Sequence, residues 1–426
     1  MSNPTIDKYE SEVRGYCRTF TKTWDTSEGA WLTDTDGEKY LDFFAGAGVL
    51  NYGHNHPALR KPLLEYIERG GITHSLDMYS APKERFLETF HRVLLEPRKM
   101  EYRVQFPGPT GTNAVEAAMK LARKVTKRSN MVFFTNAFHG MTMGSLAVTG
   151  NEGKRHSAAV PLNYASAMPF DGYLGEGVDT LDYFEKSLED RGSGLEMPAA
   201  VILETVQAEG GVNVARREWV ERLGRICKKH GILFIIDDIQ VGCGRTGHFF
   251  SFEGWDVDPD IICLSKSLSA YGLPFAVVLL KAEHDIWGPG EHNGTFRGHN
   301  LAFITAAAAL EHFWRDDSFA SEVRRKGEIV RERFEAIAKA HPELKAHVRG
   351  RGFIWGLASP HHGLADLFSE EAFKHGLVIE GAGINDNVVK FLAPLVIEEA
   401  DLLKGLDILD EVAGTVAKRL ADRNVA

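Results

Sequence analysis

Four short apolar runs recur through the middle of this chain with helical stretches between them: "MVFF" from Met131, "AAVIL" from Ala199, "ILFIID" from Ile232 and "IICL" from Ile261. Strands that are apolar at every position need cover on both faces. In a chain that alternates strand and helix, that requirement predicts a mainly parallel central sheet with helices on either side, an α/β fold. The intervening stretches carry the matching period. Val115, Met119, Ala122 and Val125 share one helical face of "TNAVEAAMKLARKV". Trp219, Val220, Leu223, Ile226 and Cys227 share one face of a second helix that stops at Gly231, a residue suited to a left-handed C-terminal cap. This alternation spans residues 62–316. Before it, "AWLTDTDGEKYLDFF" reads as a hairpin turning at Asp36 and Gly37. After it come charged helices and scattered strands ("GFIWGLA", "GLVIEG", "VVKFLAP"). Residues 1–61 and 317–426 are therefore expected to pack together as a smaller, discontinuous α+β domain.

At 426 residues, with 44% apolar and 25% charged positions, the chain can bury a large core. Its net charge of −10 argues against nucleic acid or an anionic membrane as a partner. The four cysteines are scattered without metal-ligand spacing, so no metal site is expected. No stretch has membrane-spanning length, and the opening residues lack a basic-then-apolar leader. A soluble cytoplasmic protein is the expectation.

Two of the buried runs end in reactive side chains. Asp237 closes "ILFIID", and Lys266 follows "IICLS". A parallel sheet presents such residues together at its carboxyl edge. A partly buried lysine there is a nucleophile toward carbonyls, and an ionised aspartate can keep a pyridine nitrogen protonated, so the pair points to pyridoxal phosphate. Taken singly, each is more often a cap or a solvated residue. Company strengthens the reading. In "PGPTGTNAVE", Gly108, Gly111 and Thr112 precede a helix whose free amides suit a phosphate, with Thr110 as a further donor. "NAFHG" places Phe138 where it can stack on a ring, with His139 and Gly140 in the turn. Glu204, Gln207 and Glu209 follow the run from Ala199, and "GTFRGHN" holds Thr295, Arg297 and His299.

Together these segments resemble the class III, or ω-type, aminotransferases of pyridoxal-phosphate fold type I, from about Thr33 to about Leu395. "YLDFFAGAGVLNYGHNHP" is similar to the family's N-terminal signature, and "TGTNAVEAAMKLAR" to its phosphate loop. "DDIQVGCGRTG" resembles the aspartate motif, with Asp238 and Ile239 as departures, and "LSKSLSAYGLP" the lysine motif. The resemblance implies that Lys266 carries the cofactor and shuttles protons. It implies that Asp237 meets the pyridine nitrogen, Ile239 packs under the ring, Gln240 bonds the ring hydroxyl, and Phe138 and His139 flank it. Gly111 and Thr112 would hold phosphate, joined by Thr295 from a neighbouring subunit in a homodimer or homotetramer.

For substrate carboxylates the family uses an arginine facing the glutamate that Glu209 matches. Here Lys390 stands instead, without the bidentate fork. Arg297, Arg349 and Arg351 stay open as alternatives. "PGPTGTNAVE", "VVKFLAPL" and "FRGHNLAFITAAAALEHFW" resemble one branch in particular. Its members pass the amino group of L-glutamate to L-aspartate 4-semialdehyde, giving 2-oxoglutarate and L-2,4-diaminobutyrate on the way to ectoine. Transamination of ornithine, acetylornithine or 4-aminobutyrate, or an aminomutase on the same fold, are the competing readings.

Overall fold

The computed structural model describes residues 3–157 and 159–425, with side chains of the closing helix as far as residue 421. Its centre is a seven-stranded sheet ordered Tyr102–Gln105, Val277–Lys281, Ile261–Leu264, Leu233–Asp237, Ala200–Leu203, Met131–Phe134, Ala165–Met168. Val277–Lys281 runs against its two neighbours, and the remaining pairings are parallel. The four apolar runs form the middle of this sheet and are buried residue for residue. Three strands were not among the expected ones: Tyr102–Gln105 and Ala165–Met168 are partly exposed edges, whereas Val277–Lys281 carries a buried apolar run, "VVLL", as full as the other four and was passed over behind the lysine segment.

The helices match their patterns with wider buried faces. Gly111–Thr126 buries Ala114, Ala117, Ala118 and Leu121 beside Val115, Met119 and Ala122, while Val125 is only partly covered. Arg217–His230 buries Trp219, Val220, Leu223, Ile226 and Cys227 and ends on Gly231 at φ 59°, a left-handed conformation that glycine adopts without Cβ strain.

The hairpin forms as Trp31–Asp34 against Lys39–Asp42, with Trp24–Glu28 as an added outer strand. Leu41 and Asp42 then pair in parallel with Leu377 and Val378, so one sheet joins the two ends of the chain. A four-stranded antiparallel sheet (His347–Arg351, Ile354–Ala358, Val388–Phe391, Glu380–Ala382) lies beside it. Side chains from the helices Ser318–Ala340 and Glu399–Val425 share its core.

Arg245 ties the central sheet's loops to these outer layers. Its side chain is fully buried and donates to the carbonyls of Ala393 (2.7 Å) and Phe353 (3.2 Å) and to Asn51 Oδ1 (2.5 Å). Among the described residues, no helix is long and apolar enough to cross a membrane.

Candidate active site

Parallel register sets Asp237 opposite Cys263, so Lys266, three residues further on, leaves the same carboxyl edge of the sheet. Lys266 adopts φ 49°, a left-handed backbone that costs a long side chain about 1–3 kcal/mol. Its Nζ donates to the carbonyl of Ala47 at 2.8 Å. That carbonyl is offered by a run of left-handed residues, Ala45, Gly46, Ala47 and Gly48, at φ 47°, 60°, 58° and 81°. Gln240 Nε2 donates to the same oxygen at 2.9 Å and to Glu209 Oε1 at 2.9 Å. Burial lowers the pKa of Lys266, opposed by Glu209, which favours the neutral amine a nucleophile needs.

Asp237 is buried with its Oδ2 2.7 Å from His139 Nδ1, and its Oδ1 accepts from the Ile239 amide at 3.1 Å. Phe138 follows the strand Met131–Phe134. Its amide donates to Glu204 Oε2 at 3.0 Å, and Lys154 Nζ stands 4.6 Å over its ring. Glu204 is buried, and burial next to the Asp237 charge raises its pKa well above the usual carboxylate range.

Gly111 opens the helix Gly111–Thr126 and touches Ile239 so closely that a Cβ there would lie 3.0 Å from Ile239 Cδ1. Thr110 serves as the helix N-cap and is tied to Asn113 Oδ1 at 2.8 Å. The Thr112 hydroxyl bonds Ser145 (2.8 Å) and Thr142 (2.9 Å).

Opposite lies an ionic cluster. Lys390 Nζ is 2.6 Å from Glu209 Oε1 and 2.8 Å from Glu380 Oε1, and the Lys390 side chain is wholly shielded from solvent. Burial works against the Glu209 charge, but Lys390 and Lys266 hold its pKa down at about 2. A cavity of about 200 Å³ is lined by Tyr16, Phe138, Lys154, Glu209 and Glu380 among others.

The loop residues sit elsewhere. Thr295 is exposed, with its carbonyl 2.8 Å from His74 Nε2, and Arg297 is ion-paired with Asp77. His299 caps the helix Asn300–Phe313 by accepting from Ala302 N, and Arg351 donates to Ser251 O and Thr205 Oγ1. Arg349 would crowd a side chain at Gly211. The structure thus pairs Asp237 with His139 and joins Lys266, Gln240, Glu209 and Lys390 in a second set through the Ala47 carbonyl, with the Asp237 charge acting on Lys266. The loop residues join neither set within the chain.

Sequence reading passed over Glu380, Lys154, Tyr16 and the Ala47 carbonyl. A carboxylate inside the apolar run "GLVIEG" was the available signal for Glu380. Nothing local marks the others.

The polar set suits pyridoxal phosphate. His139 Nε2 and Gln240 Oε1 are buried without a hydrogen-bond partner in the protein, and at Gly111 the backbone lies directly against Ile239, where a side chain would collide. The 16-residue helix Gly111–Thr126 starts at this contact with Ile239, and a helix N-terminus is the end that suits a phosphate. A half-buried lysine and a buried aspartate on the carboxyl edge of such a sheet define a pyridoxal-phosphate enzyme of fold type I.

Residues 16–413 match the family model described as aminotransferase class-III, and the chain belongs to that family. It is 54% identical over 406 residues to the diaminobutyrate–2-oxoglutarate transaminase of Halalkalibacterium halodurans, covering 95% of each chain. With the enzyme of the same name from Halomonas elongata it shares 54% identity over 413 residues, covering 96% of this chain and 98% of the relative. Among solved structures, an aminotransferase from Bacillus anthracis superposes with a TM-score of 0.87 at 22% identity, covering 97% of both chains. The ornithine aminotransferase of Toxoplasma gondii gives 0.85 at 24% identity, covering 98% of this chain and 94% of that one.

Proposed function

We propose that this chain is a diaminobutyrate–2-oxoglutarate transaminase. It moves the amino group of L-glutamate to L-aspartate 4-semialdehyde and releases 2-oxoglutarate and L-2,4-diaminobutyrate. The observation that carries this reading is the identity of 54% over 95% of both chains to a relative of that name. When bound, pyridoxal 5'-phosphate supplies the carbonyl that takes up the amino group and a protonated ring that draws electrons from the breaking bond.

The chain's own residues divide the remaining work. Lys266, its ammonium form disfavoured by burial, lifts a proton from the amine-bearing carbon of the donor and returns one to the acceptor carbon. Asp237, oriented by His139, would set its carboxylate against the ring nitrogen and favour the protonated ring. Phe138 and Ile239 would flank the ring, Gln240 Oε1 would be the group for the ring hydroxyl, and Gly111 and Thr112 with the helix amides would hold the phosphate. Glu209 and Lys390 screen each other, so a substrate carboxylate that reaches Lys390 must draw the lysine away from Glu209.

We place Thr295 and Arg297 at a subunit boundary. Phe296 between them, and Leu76, Met78 and Tyr79 beside their partners His74 and Asp77, are large apolar residues left exposed, which supports a symmetric dimer or tetramer with shared sites. The division into residues 62–316 and a smaller unit from both ends is supported by the pairing of Leu41 and Asp42 with Leu377 and Val378.

The test is an amine panel with 2-oxoglutarate as acceptor: diaminobutyrate, ornithine, acetylornithine and 4-aminobutyrate. Preference for diaminobutyrate with ping-pong kinetics supports the proposal. Preference for another amine replaces the substrate, and turnover without any 2-oxoacid points to a mutase.

A further inference from the structure

Glu380 has no part in the roles assigned above, yet it lies on the wall of the same cavity as Glu209 and Phe138. Its position is set by the backbone. Glu380 and Lys390 are direct cross-strand partners in an antiparallel pair, which keeps the two side chains on one face of the sheet. Glu209 reaches the same ammonium from the loop after Ala200–Leu203. One buried cation therefore faces two carboxylates, and with both ionised the cluster carries a surplus negative charge.

A buried charge without full compensation either takes a proton or pairs with an incoming cation. The surplus falls on Glu380. Burial pushes its pKa up to about 7 in spite of Lys390, with Glu209 adding repulsion and Lys266 attraction, whereas Glu209 stays near 2. A carboxamide at this position would leave the cluster neutral, so the carboxylate makes the cavity a place for a cation.

The diamino acid brings that cation. Once its terminal amine is presented at Lys266, its far end still carries an α-ammonium and an α-carboxylate. We propose that Glu380 receives the α-ammonium of diaminobutyrate and selects for it, with Lys154 on the same cavity available to the α-carboxylate. This inference rests on the diaminobutyrate reading. It explains how the site distinguishes diaminobutyrate from 4-aminobutyrate, which is the same molecule without the α-ammonium.

The experiment compares those two amines on the holoenzyme. Wild type, Glu380→Gln and Glu380→Asp are assayed for kcat/KM with each amine, using 2-oxoglutarate as acceptor. Dissociation constants are read independently from the absorbance change of the holoenzyme on titration. Loss of one charged hydrogen bond predicts that Glu380→Gln lowers the diaminobutyrate to 4-aminobutyrate ratio by about tenfold to a hundredfold. The loss should fall mainly on KM and the dissociation constant, and Glu380→Asp should recover part of it. If both amines weaken equally in the variants, Glu380 only holds Lys390 in place and the inference fails. Should Glu380→Gln not fold, an unchanged ratio in Glu380→Asp overturns the inference in the same way. A wild type that prefers 4-aminobutyrate removes the diaminobutyrate reading itself, and the inference with it.

Discussion

His139 Nδ1 lies 2.7 Å from Asp237 Oδ2, and both side chains are buried at the edge of the central sheet. The imidazole fixes the direction of the carboxylate, and its Nε2 is left without a protein partner. Asp237→Asn should lower kcat by at least about a hundredfold, because the fixed negative charge is gone. His139→Asn should cost about tenfold, the value of one charge-assisted hydrogen bond. Steady-state kinetics on both variants checks this, with the cofactor's absorption spectrum as an independent sign of altered ring protonation. Equal losses would mean that His139 acts as more than a positioning residue.

Lys266 is the nitrogen expected to take up the cofactor and to move the proton. Lys266→Ala should lose at least about a thousandfold in activity. It should also lack the visible absorbance of lysine-bound cofactor. Retained absorbance would identify a different lysine.

The two carboxylates on Lys390 give opposite pH signatures. Glu209 is depressed from 4.5 to about 2, so its contribution to stability is complete above pH 4.5 and is lost as pH falls toward 2. Glu380 is raised from 4.5 to about 7, so the folded state holds its proton more tightly and stability falls as pH rises from 4.5 through 7. Glu380→Gln should therefore gain thermal stability relative to wild type at pH 8 and lose that advantage at pH 5. Melting curves at the two pH values decide it, and a difference independent of pH would contradict the assignment.

Removing Lys390 takes away the ammonium that both acids contact and leaves buried Glu380 with only the more distant Lys266 as compensation. Lys390→Met should destabilise the fold by about 3–5 kcal/mol, and Lys390→Arg by much less. Adding Glu380→Gln to Lys390→Met should restore part of the loss, which denaturant titration of the single and double variants will measure.

Arg245 makes no contact with the site network but satisfies three acceptors in two layers. Arg245→Met leaves all three acceptors buried without a partner and should cost at least about 3 kcal/mol, at roughly 1–3 kcal/mol for each. Thermal unfolding checks it, and limited proteolysis should show the N-terminal and C-terminal sheets released first.

The amino-acid sequence by itself settled the central sheet's inner strands, the helices between them and the side chains at their ends. Fully apolar runs, a 3.6-residue period and a glycine stop are properties of neighbours in the chain, so Leu233–Asp237, Ile261–Leu264 and Gly111–Thr126 were legible to within a few residues. The half-exposed edges Tyr102–Gln105 and Ala165–Met168 were not, because only hydrogen bonding to a neighbouring strand makes them strands. The tertiary structure alone decided which groups meet. His139 finds Asp237 across 98 residues, Lys266 finds the Ala47 carbonyl across 219, and Glu209 finds Lys390 across 181. Those distances in sequence carry no periodic signal, and it is the topology of the sheet and the left-handed run at Ala45–Gly48 that close them. Glu380 lies between the two cases. Its carboxylate in an apolar run is visible in the sequence, but its meaning depends on a strand register that places it against a lysine already engaged by another acid.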